Sequence, residues 1–395
     1  PSNKPTEYKT LNNEYLMPVK FETIGKWNDY HRSYSDIENF KIYGQENIRY
    51  QFIADTFKEH IDWDMKDLRI AILDIEVASD NGFPEPEQAN SPITAITIKY
   101  LQSKEIHVFG YGEYTPHKEN VVYHKCKDER ELCFSFLQFW ERDYPDAYSG
   151  WNTEYFDIPY LVNRFNKVIH GTDAANRLSP WSKIINTTSK NMLDAKLRYD
   201  IVGVSSLDYI ELYKSYAPAG KSQESYKLDN IAFYELEENK LSYDEYDTLH
   251  NLYKLNFQKY IEYNIKDVEL VLRLEDKLKL IELALTLAYT SSCNYGDIFM
   301  QTRMWDSMTY SYLLKKNIIL PPQTDKDKES AYEGAYVKEP VVGMHNYVAS
   351  FDLNSLYPHL MMQYSISPEN IIERSYISER KNKLLAELKL RKSNV

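Results

Sequence analysis

Asp74-Ile75-Glu76 is the pair of acids in this sequence best placed to do chemistry. It lies in the stretch Arg69 to Ser79, where Ile70, Ile72, Asp74 and Glu76 alternate with Ala71, Leu73, Ile75 and Val77, so in a strand both carboxylates share one face at one end. Two like charges held that close raise each other's pKa and lose hydration unless something positive sits between them. A divalent cation is the simplest answer. The same letters also describe an ordinary strand running into a solvated loop, and the pair alone does not separate the two readings. Two other places bear on the choice. Asn152-Thr153-Glu154-Tyr155-Phe156-Asp157 follows a short strand, with Asp157 at the N-cap of an apolar helix that has Pro159 near its first turn. Capping alone accounts for Asp157 in isolation. Tyr263 and Asp267 are four residues apart in a helical pattern, one turn from each other on one face. Taken singly, core packing of Tyr263 and an intrahelical pair for Asp267 account for these two.

The elements that must position these groups are readable from periodicity. After the central strand, Ile93 to Leu101 and Ile106 to Gly112 read as two more strands, which suggests a meander. Leu132, Phe136, Leu137 and Trp140 make a helical stripe over Glu129 to Asp143, and Ala147 to Trp151 is a short strand. Residues 69–151 therefore run β-β-β-α-β, a mixed sheet with helices packed on it. Thr187-Thr188-Ser189 with Leu197 to Val204 suggests a hairpin. Leu207 to Tyr216 and Lys227 to Phe233 suggest helices, and Tyr243 to about Leu280 is the longest helical pattern. Residues 1–68, with turn signals at Asn12-Asn13 and Tyr43-Gly44 and helical spacing over Ile48 to His60, read as a small α+β domain. The fold class is α/β and α+β, in more than one domain.

Bulk composition narrows the function classes. With 395 residues, 43% hydrophobic and 27% charged, the chain has globular composition and the length of two or three domains. No apolar run approaches the roughly 18 residues of a membrane span, and the chain reads as soluble and intracellular. Cys126, Cys133 and Cys293 lack metal-ligand spacing and read as core thiols. The opening Pro1, with neither initiator Met nor signal peptide, points to a fragment or a processed product. The 47 basic and 59 acidic residues leave a net charge of −12, which argues against holding nucleic acid by bulk attraction to phosphate. Local contacts, with metal ions neutralising the site, still permit phosphodiester chemistry. The 35 Tyr suit either base stacking or a core.

Taken together, the strand Asp74-x-Glu76, the later Asn152-x-x-x-Phe156-Asp157 and the helical Tyr263-x-x-x-Asp267 resemble the three exonuclease motifs of the DEDDy nucleases, which have an RNase H-like fold. The middle motif resembles the proofreading domain of family B DNA polymerases. The resemblance implies that Asp74, Glu76, Asp157 and Asp267 ligate two Mg²⁺ ions, replaceable by Mn²⁺, and that Tyr263 orients the attacking water. By the same likeness Asn152 and Phe156 touch the 3′-terminal nucleotides of single-stranded DNA, and hydrolysis runs 3′ to 5′. Further on, Asp352-Leu353-Asn354-Ser355-Leu356-Tyr357-Pro358 is similar to motif A of the family B palm. That likeness implies a metal ligand in Asp352, a backbone at Ser355 and Leu356 lying against the incoming triphosphate, and a Tyr357 ring under the sugar. The bland alternative is an amphipathic strand and turn, with Phe351 in a core and Pro358 as a stop. Tyr332 to Val337, followed by Lys338-Glu339-Pro340, resembles the segment joining nuclease and polymerase domains, with the closest likeness to replicative polymerases of T-even-like phages.

On this resemblance 69–280 is the exonuclease domain, 1–68 an incomplete N-terminal domain joined by 281–323, and 324–395 the start of a palm. The palm's second carboxylate turn and the lysine-rich helix of the fingers have no counterpart here. Tyr295-Gly296-Asp297 precedes motif A, continues as Ile298-Phe299, and reads as part of a helix returning to the N-terminal domain. Glu379, Lys383, Glu387 and Arg391, spaced at four, read as a solvated helix surface. The implied function is the proofreading exonuclease and partial palm of a phage replicative DNA-directed DNA polymerase. Primer-template DNA and deoxynucleoside triphosphates are then substrates of a complete enzyme, and a complementary chain would supply the remainder. A sliding clamp and a single-strand-binding protein are further implied partners, in the cytoplasm of the infected bacterial host, with no membrane contact. Two alternatives stay open: a free-standing nuclease of DNA or RNA, and an inactive fragment that binds nucleic acid or another replisome protein.

Overall fold

Aliphatic and β-branched residues fill Ile70–Val77 and Ile93–Tyr100, and these two runs form the middle of a six-stranded sheet in the computed structural model. The structure describes residues 4–34, 37, 40–45, 47–78, 82, 84–169, 173–188, 196–217, 223, 225–321, 334–370 and 379–383. The chain divides into two units, 1–324 and 325–395. In the first unit β1 (Tyr8–Lys9), β2 (Tyr15–Leu16), α1 (Ile24–Tyr34) and α2 (Ile48–Thr56) precede the sheet. The sheet region follows as β3 (Ile70–Val77), β4 (Ile93–Tyr100), β5 (Ile106–Gly110), β6 (Val121–Lys125), α3 (Glu129–Arg142), β7 (Ala147–Ser149) and α4 (Asp157–Val168). Then come β8 (Ile184–Asn186), β9 (Tyr199–Ile201), β10 (Ser205–Ser206), α5 (Tyr209–Tyr216), α6 (Leu228–Leu236), α7 (Leu249–Leu255), α8 (Phe257–Leu278), α9 (Leu280–Ser291) and α10 (Gln301–Leu314). The second unit holds α11 (Leu356–Tyr364).

The sheet order is β10-β7-β3-β4-β5-β6. β3, β4 and β5 pair antiparallel in succession, while β10 on β7, β7 on β3 and β6 on β5 are parallel, so the sheet is mixed. The two faces read from the alternation of β3 are the two faces found. Ala71, Leu73, Ile75 and Val77 pack with α3 and α4 residues such as Phe136, Trp140, Leu161 and Phe165. Ile70 and Ile72 pack with Leu212, Ile231, Val271 and Leu285 from the helices on the other side. Helices therefore cover both faces of one mixed α/β sheet. β4 to β6 are covered by a third cluster, in which Ile106, Val108 and Val121 meet Tyr260, Ile261 and Ile265 of α8.

Several expectations need correction. β6 was not anticipated: its five residues pair parallel to β5, with no hairpin turn to mark them. The helical pattern over Tyr243 to Leu280 is several elements: a 3-10 turn at Asp244–Tyr246, then α7, then α8, then α9 from Leu280. Asn256 ends α7 and caps α8 by accepting from Lys259 N at 3.0 Å, and Lys279 adopts left-handed geometry at φ 55° between α8 and α9. The helix at Ile48 stops at Thr56, short of His60. Tyr295–Phe299 is a 3-10 turn leading into α10. Beyond α10 the chain meets the first residues again: Lys9 N donates to Asn317 O at 2.9 Å and Ile319 N to Lys9 O at 2.8 Å. Cys126, Cys133 and Cys293 are buried free thiols. Of the expected hairpin, β8 and β9 pair antiparallel, while Ser189 lies outside the described residues. Ser79, Tyr332, Glu333, Glu387 and Arg391 also lie outside them, and Glu379 to Lys383 is helical.

In the second unit, residues 348–353 form no regular element, and Phe351 is 94% exposed rather than part of a core. Pro358 stops no strand. It sits in the first turn of α11, where a missing N–H costs nothing.

Candidate metal centre

Asp74 and Glu76 leave the same side of β3 two residues apart, and α8 crosses that side. One carboxylate oxygen each from Asp74, Glu76 and Asp267 lie within 4.8 Å of one another. A β-bulge follows at once, since the β3–β4 register shifts between Glu76 and Val77. α8 is fixed over the strands by polar contacts at successive turns. Tyr260 and Thr94 share a 2.5 Å hydrogen bond, and Thr94 Oγ1 also donates to Glu76 O at 3.0 Å. Asn264 Nδ2 donates to Asp74 Oδ2 at 2.6 Å, while Asn264 Oδ1 accepts from Thr97 on β4. Tyr263 and Asp267 do share a helix face, and Lys240 joins them: its ammonium lies 2.5 Å from Asp267 Oδ2 and donates to the Tyr263 hydroxyl at 3.3 Å.

The electrostatics follow from burial. Loss of water, then the charges of Asp157, Asp267 and Glu76, push the Asp74 carboxyl far above its ordinary range. Burial and the neighbouring Asp267 push Glu76 up to about 8. Burial raises Asp267 too, although Lys240 pulls it back. Burial works against the Lys240 ammonium, but Asp267, Tyr263 and Asp74 outweigh it and keep it charged. Burial and the Asp267 charge raise the Tyr263 phenol, which therefore stays protonated at neutral pH. Asp267 Oδ1 is buried and has no hydrogen-bond partner among the described residues. Three clustered carboxylates, one with an orphaned buried oxygen, against one contacting ammonium among the described residues are what a hard divalent cation with oxygen ligands fits.

Asp157 reaches the site differently from what a helix cap would do. It is the first residue of α4, Phe156 holds the cap position without a side-chain bond, and Asp157 Oδ1 accepts from Ile75 N at 3.0 Å across the sheet. The carboxylate lies outside the 4.8 Å group of three, yet its charge is the largest influence on Asp74 after burial itself. Burial moves Asp157 to about 7 even though Ile75 N stabilises its ionised form. The turn before it is tightly specified. Gly150 approaches β3 so closely that a Cβ there would lie 2.4 Å from Leu73 O. Asn152 takes φ 70°, and its carbonyl accepts from Phe156 N at 3.0 Å. Asp352, Ser355, Leu356 and Tyr357 belong to the second unit, where Asp352 and Ser355 precede α11 and Leu356 and Tyr357 open it.

Sequence reading passed over three residues. Lys240 sits in Glu237-Glu238-Asn239-Lys240, irregular chain between α6 and α7 with no periodic signal. Asn264 could have been found, because it is three residues from Asp267 and so falls on the same helix face. Asp208 falls inside the helix expected from Leu207, but α5 begins at Tyr209 and Asp208 caps it. It also accepts from Asn152 N at 3.0 Å and Glu154 N at 2.8 Å.

The family model for the exonuclease domain of DNA polymerase family B matches residues 24–231, and the model for DNA polymerase family B matches 299–393. The DNA-directed DNA polymerase of Escherichia phage RB69 is 33% identical over 396 residues, 94% of this chain and 43% of the relative. That of Enterobacteria phage T4 is 32% identical over 391 residues, 93% of this chain and again 43% of the relative. The DNA polymerase delta catalytic subunit of Plasmodium falciparum is 26% identical over 358 residues, covering 84% of this chain and 31% of the relative. The chain thus spans less than half the length of these curated relatives. With the exonuclease model covering more than half of its residues and the polymerase model following in order, the chain belongs to DNA polymerase family B and carries the family's exonuclease domain and part of its polymerase domain.

Proposed function

We propose that this chain hydrolyses the 3′-terminal phosphodiester of single-stranded DNA, as the 3′–5′ proofreading exonuclease of a phage replicative polymerase, and that residues 69–280 have the RNase H-like fold. The observation that carries the reading is the meeting of Asp74 and Glu76 from β3 with Asp267 from α8, one of whose oxygens is buried and unpartnered. In this reading Asp74, Glu76 and Asp267, with Asp157 beside Asp74, hold two Mg²⁺ ions, for which Mn²⁺ can substitute. Bound there, such ions generate a nucleophile at neutral pH and stabilise charge on the leaving oxygen. The chain's own groups do the positioning. Lys240 holds one oxygen of Asp267, which leaves the other free to face a ligand. The protonated Tyr263 hydroxyl, anchored by the same ammonium, orients the attacking water by hydrogen bonding. Asn152 and Phe156, on the turn leading to Asp157, bind the terminal nucleotides, the ring by stacking on a base.

The remaining assignments belong to the same proposal. Residues 1–68 and 281–323 form an N-terminal domain, a reading supported by the backbone bonds of Lys9 with Asn317 and Ile319. Residues 324–395 begin a palm in which Asp352 ligates a metal, Ser355 and Leu356 lie against a triphosphate, and Tyr357 packs under its sugar. Synthesis from deoxynucleoside triphosphates on primer-template DNA is a property of the whole polymerase, whose remaining parts are supplied in the same polypeptide or by a complementary chain. A sliding clamp and a single-strand-binding protein are partners of that assembly in the cytoplasm of an infected bacterium. The test is degradation of a 5′-labelled single-stranded DNA oligomer with Mg²⁺, beside the double variant Asp74→Ala, Glu76→Ala. The parent is expected to produce a ladder shortening from the 3′ end, and the variant to lose several orders of magnitude in rate. Equal degradation by both refutes the metal assignment, and a preference for RNA favours the free-standing nuclease.

A further inference from the structure

Asp208 is a fully buried carboxylate that does more than its position requires. As the cap of α5 it need only accept from Ile210 N, which it does at 3.1 Å. The same Oδ1 also takes Asn152 N, and Oδ2 takes Glu154 N, from residues more than fifty positions earlier in the chain. No cation pairs with it among the described residues; burial pushes its carboxyl up to about 7, and three backbone N–H groups are what stabilise the ionised form. A carboxylate is suited to this arrangement: its two oxygens accept several bonds at once, whereas a Ser or Asn cap offers a single acceptor oxygen. The turn it holds bears Asn152 in left-handed geometry, which Asn adopts more readily than other non-glycine residues. The other end of the turn has its own anchor, since Asp157 is tied to Ile75 N at 3.0 Å. Each end thus has its own side-chain tie, although the Asp208 charge also reaches Asp157.

We propose that Asp208 is a positioning residue for substrate: it clamps the 152–154 half of the turn so that Asn152 meets the 3′ end of single-stranded DNA, while Asp157 keeps its place through β3. This rests on the exonuclease reading above. Because Asp157 keeps its own bond to Ile75 N when the Asp208 clamp is loosened, DNA binding weakens far more than the chemical step slows.

The variant that separates this role from capping is D208S, whose hydroxyl still caps α5 but is too short to reach Asn152 N and Glu154 N. Two readouts are taken on the full chain: KM and kcat for hydrolysis of a 5′-labelled single-stranded DNA oligomer, and equilibrium binding of that oligomer by fluorescence anisotropy in EDTA, where nothing is cut. D208S is expected to raise KM and weaken binding about tenfold, the scale of one or two hydrogen bonds to a charged group, with kcat within about threefold of the parent. Adding N152A to D208S is expected to cost less than about twofold more, because the clamp acts through Asn152. A fall in kcat with KM and binding unchanged overturns the proposal, as does a double variant whose costs multiply. If D208S does not fold, D208N takes its place; its one amide oxygen can keep Ile210 N and Asn152 N but not Glu154 N, so the same direction with a smaller rise in KM is expected, and loss of the melting transition in both makes the role purely structural and overturns the proposal. A parent that binds the oligomer but cuts nothing refutes the exonuclease reading and leaves the binding comparison to decide this one. A parent that does not bind refutes both.

Discussion

Stripping divalent ions should turn the carboxylate cluster into a liability that grows with pH. Burial holds the Glu76 carboxyl at about 8 and Asp157 at about 7, against ordinary values of 4.5 and 3.8, and raises Asp74 further still. A folded-state pKa above the unfolded one means that the native chain binds more protons, so stability is full below the ordinary pKa and is lost as pH climbs through the folded value. For Glu76 alone, a rise from 4.5 to about 8 at about 1.4 kcal/mol per pH unit amounts to something on the order of 5 kcal/mol. Glu76 is 7% exposed, so solvent does little to reduce that figure, although neighbours that titrate together do not add independently. A single domain holds roughly 5–15 kcal/mol in total, so the effect is decisive. The assay is urea unfolding in EDTA and in Mg²⁺ across about pH 5 to 8. The midpoint in EDTA should fall through this window, while Mg²⁺, which binds the deprotonated cluster, should hold it nearly level. An EDTA midpoint that stays flat or rises, or the same fall with Mg²⁺ present, refutes the reasoning.

Two substitutions test the surroundings. Lys240→Met removes the ammonium beside Asp267 and Tyr263; in EDTA near neutral pH it should destabilise the fold by about 3–5 kcal/mol, the scale of a broken buried ion pair, with Mg²⁺ restoring part of the loss. Its nuclease rate should fall about a hundredfold, because both the Asp267 oxygen and the Tyr263 hydroxyl lose their anchor. Gly150→Ala places a methyl 2.4 Å from Leu73 O and 2.5 Å from Thr153 Cγ2, so β3 and the turn must separate; thermal unfolding should show a loss of about 1–3 kcal/mol.

Much of this was legible in the sequence, and the reasons are physical. The alternation in β3 is strict because each of its faces packs on a different cluster, Ala71 with one and Ile72 with the other. The spacing of Tyr263 and Asp267 is legible because α8 is one unbroken helix through both. The break before α8 hid behind Tyr253, Phe257 and Tyr260, which are spaced at four and three and so continue a helical stripe across Asn256, although the Asn was itself the capping signal. β6 is short and parallel, so its partner is chosen by the sheet and not by a turn. The Lys240 ammonium and the outer bonds of Asp208 are tertiary contacts that no local pattern encodes. In the second unit Phe351 is an aromatic on irregular chain, and apolar letters there did not mean a core.

The bond from Asn264 to Asp74 joins residues 190 positions apart. A ribosome adding roughly 5–20 residues per second needs about 10–40 s to travel that distance. β3, β4 and β5 can pair as soon as they emerge, since each neighbours the next in sequence. Asp74 and Glu76 thus sit on a finished meander, facing water, well before Lys240 and then α8 arrive to neutralise and enclose them. The nascent chain builds its scaffold early and its acidic centre last, so ribosome-bound chains stalled short of Asp267 should carry an ordered sheet and no assembled cluster.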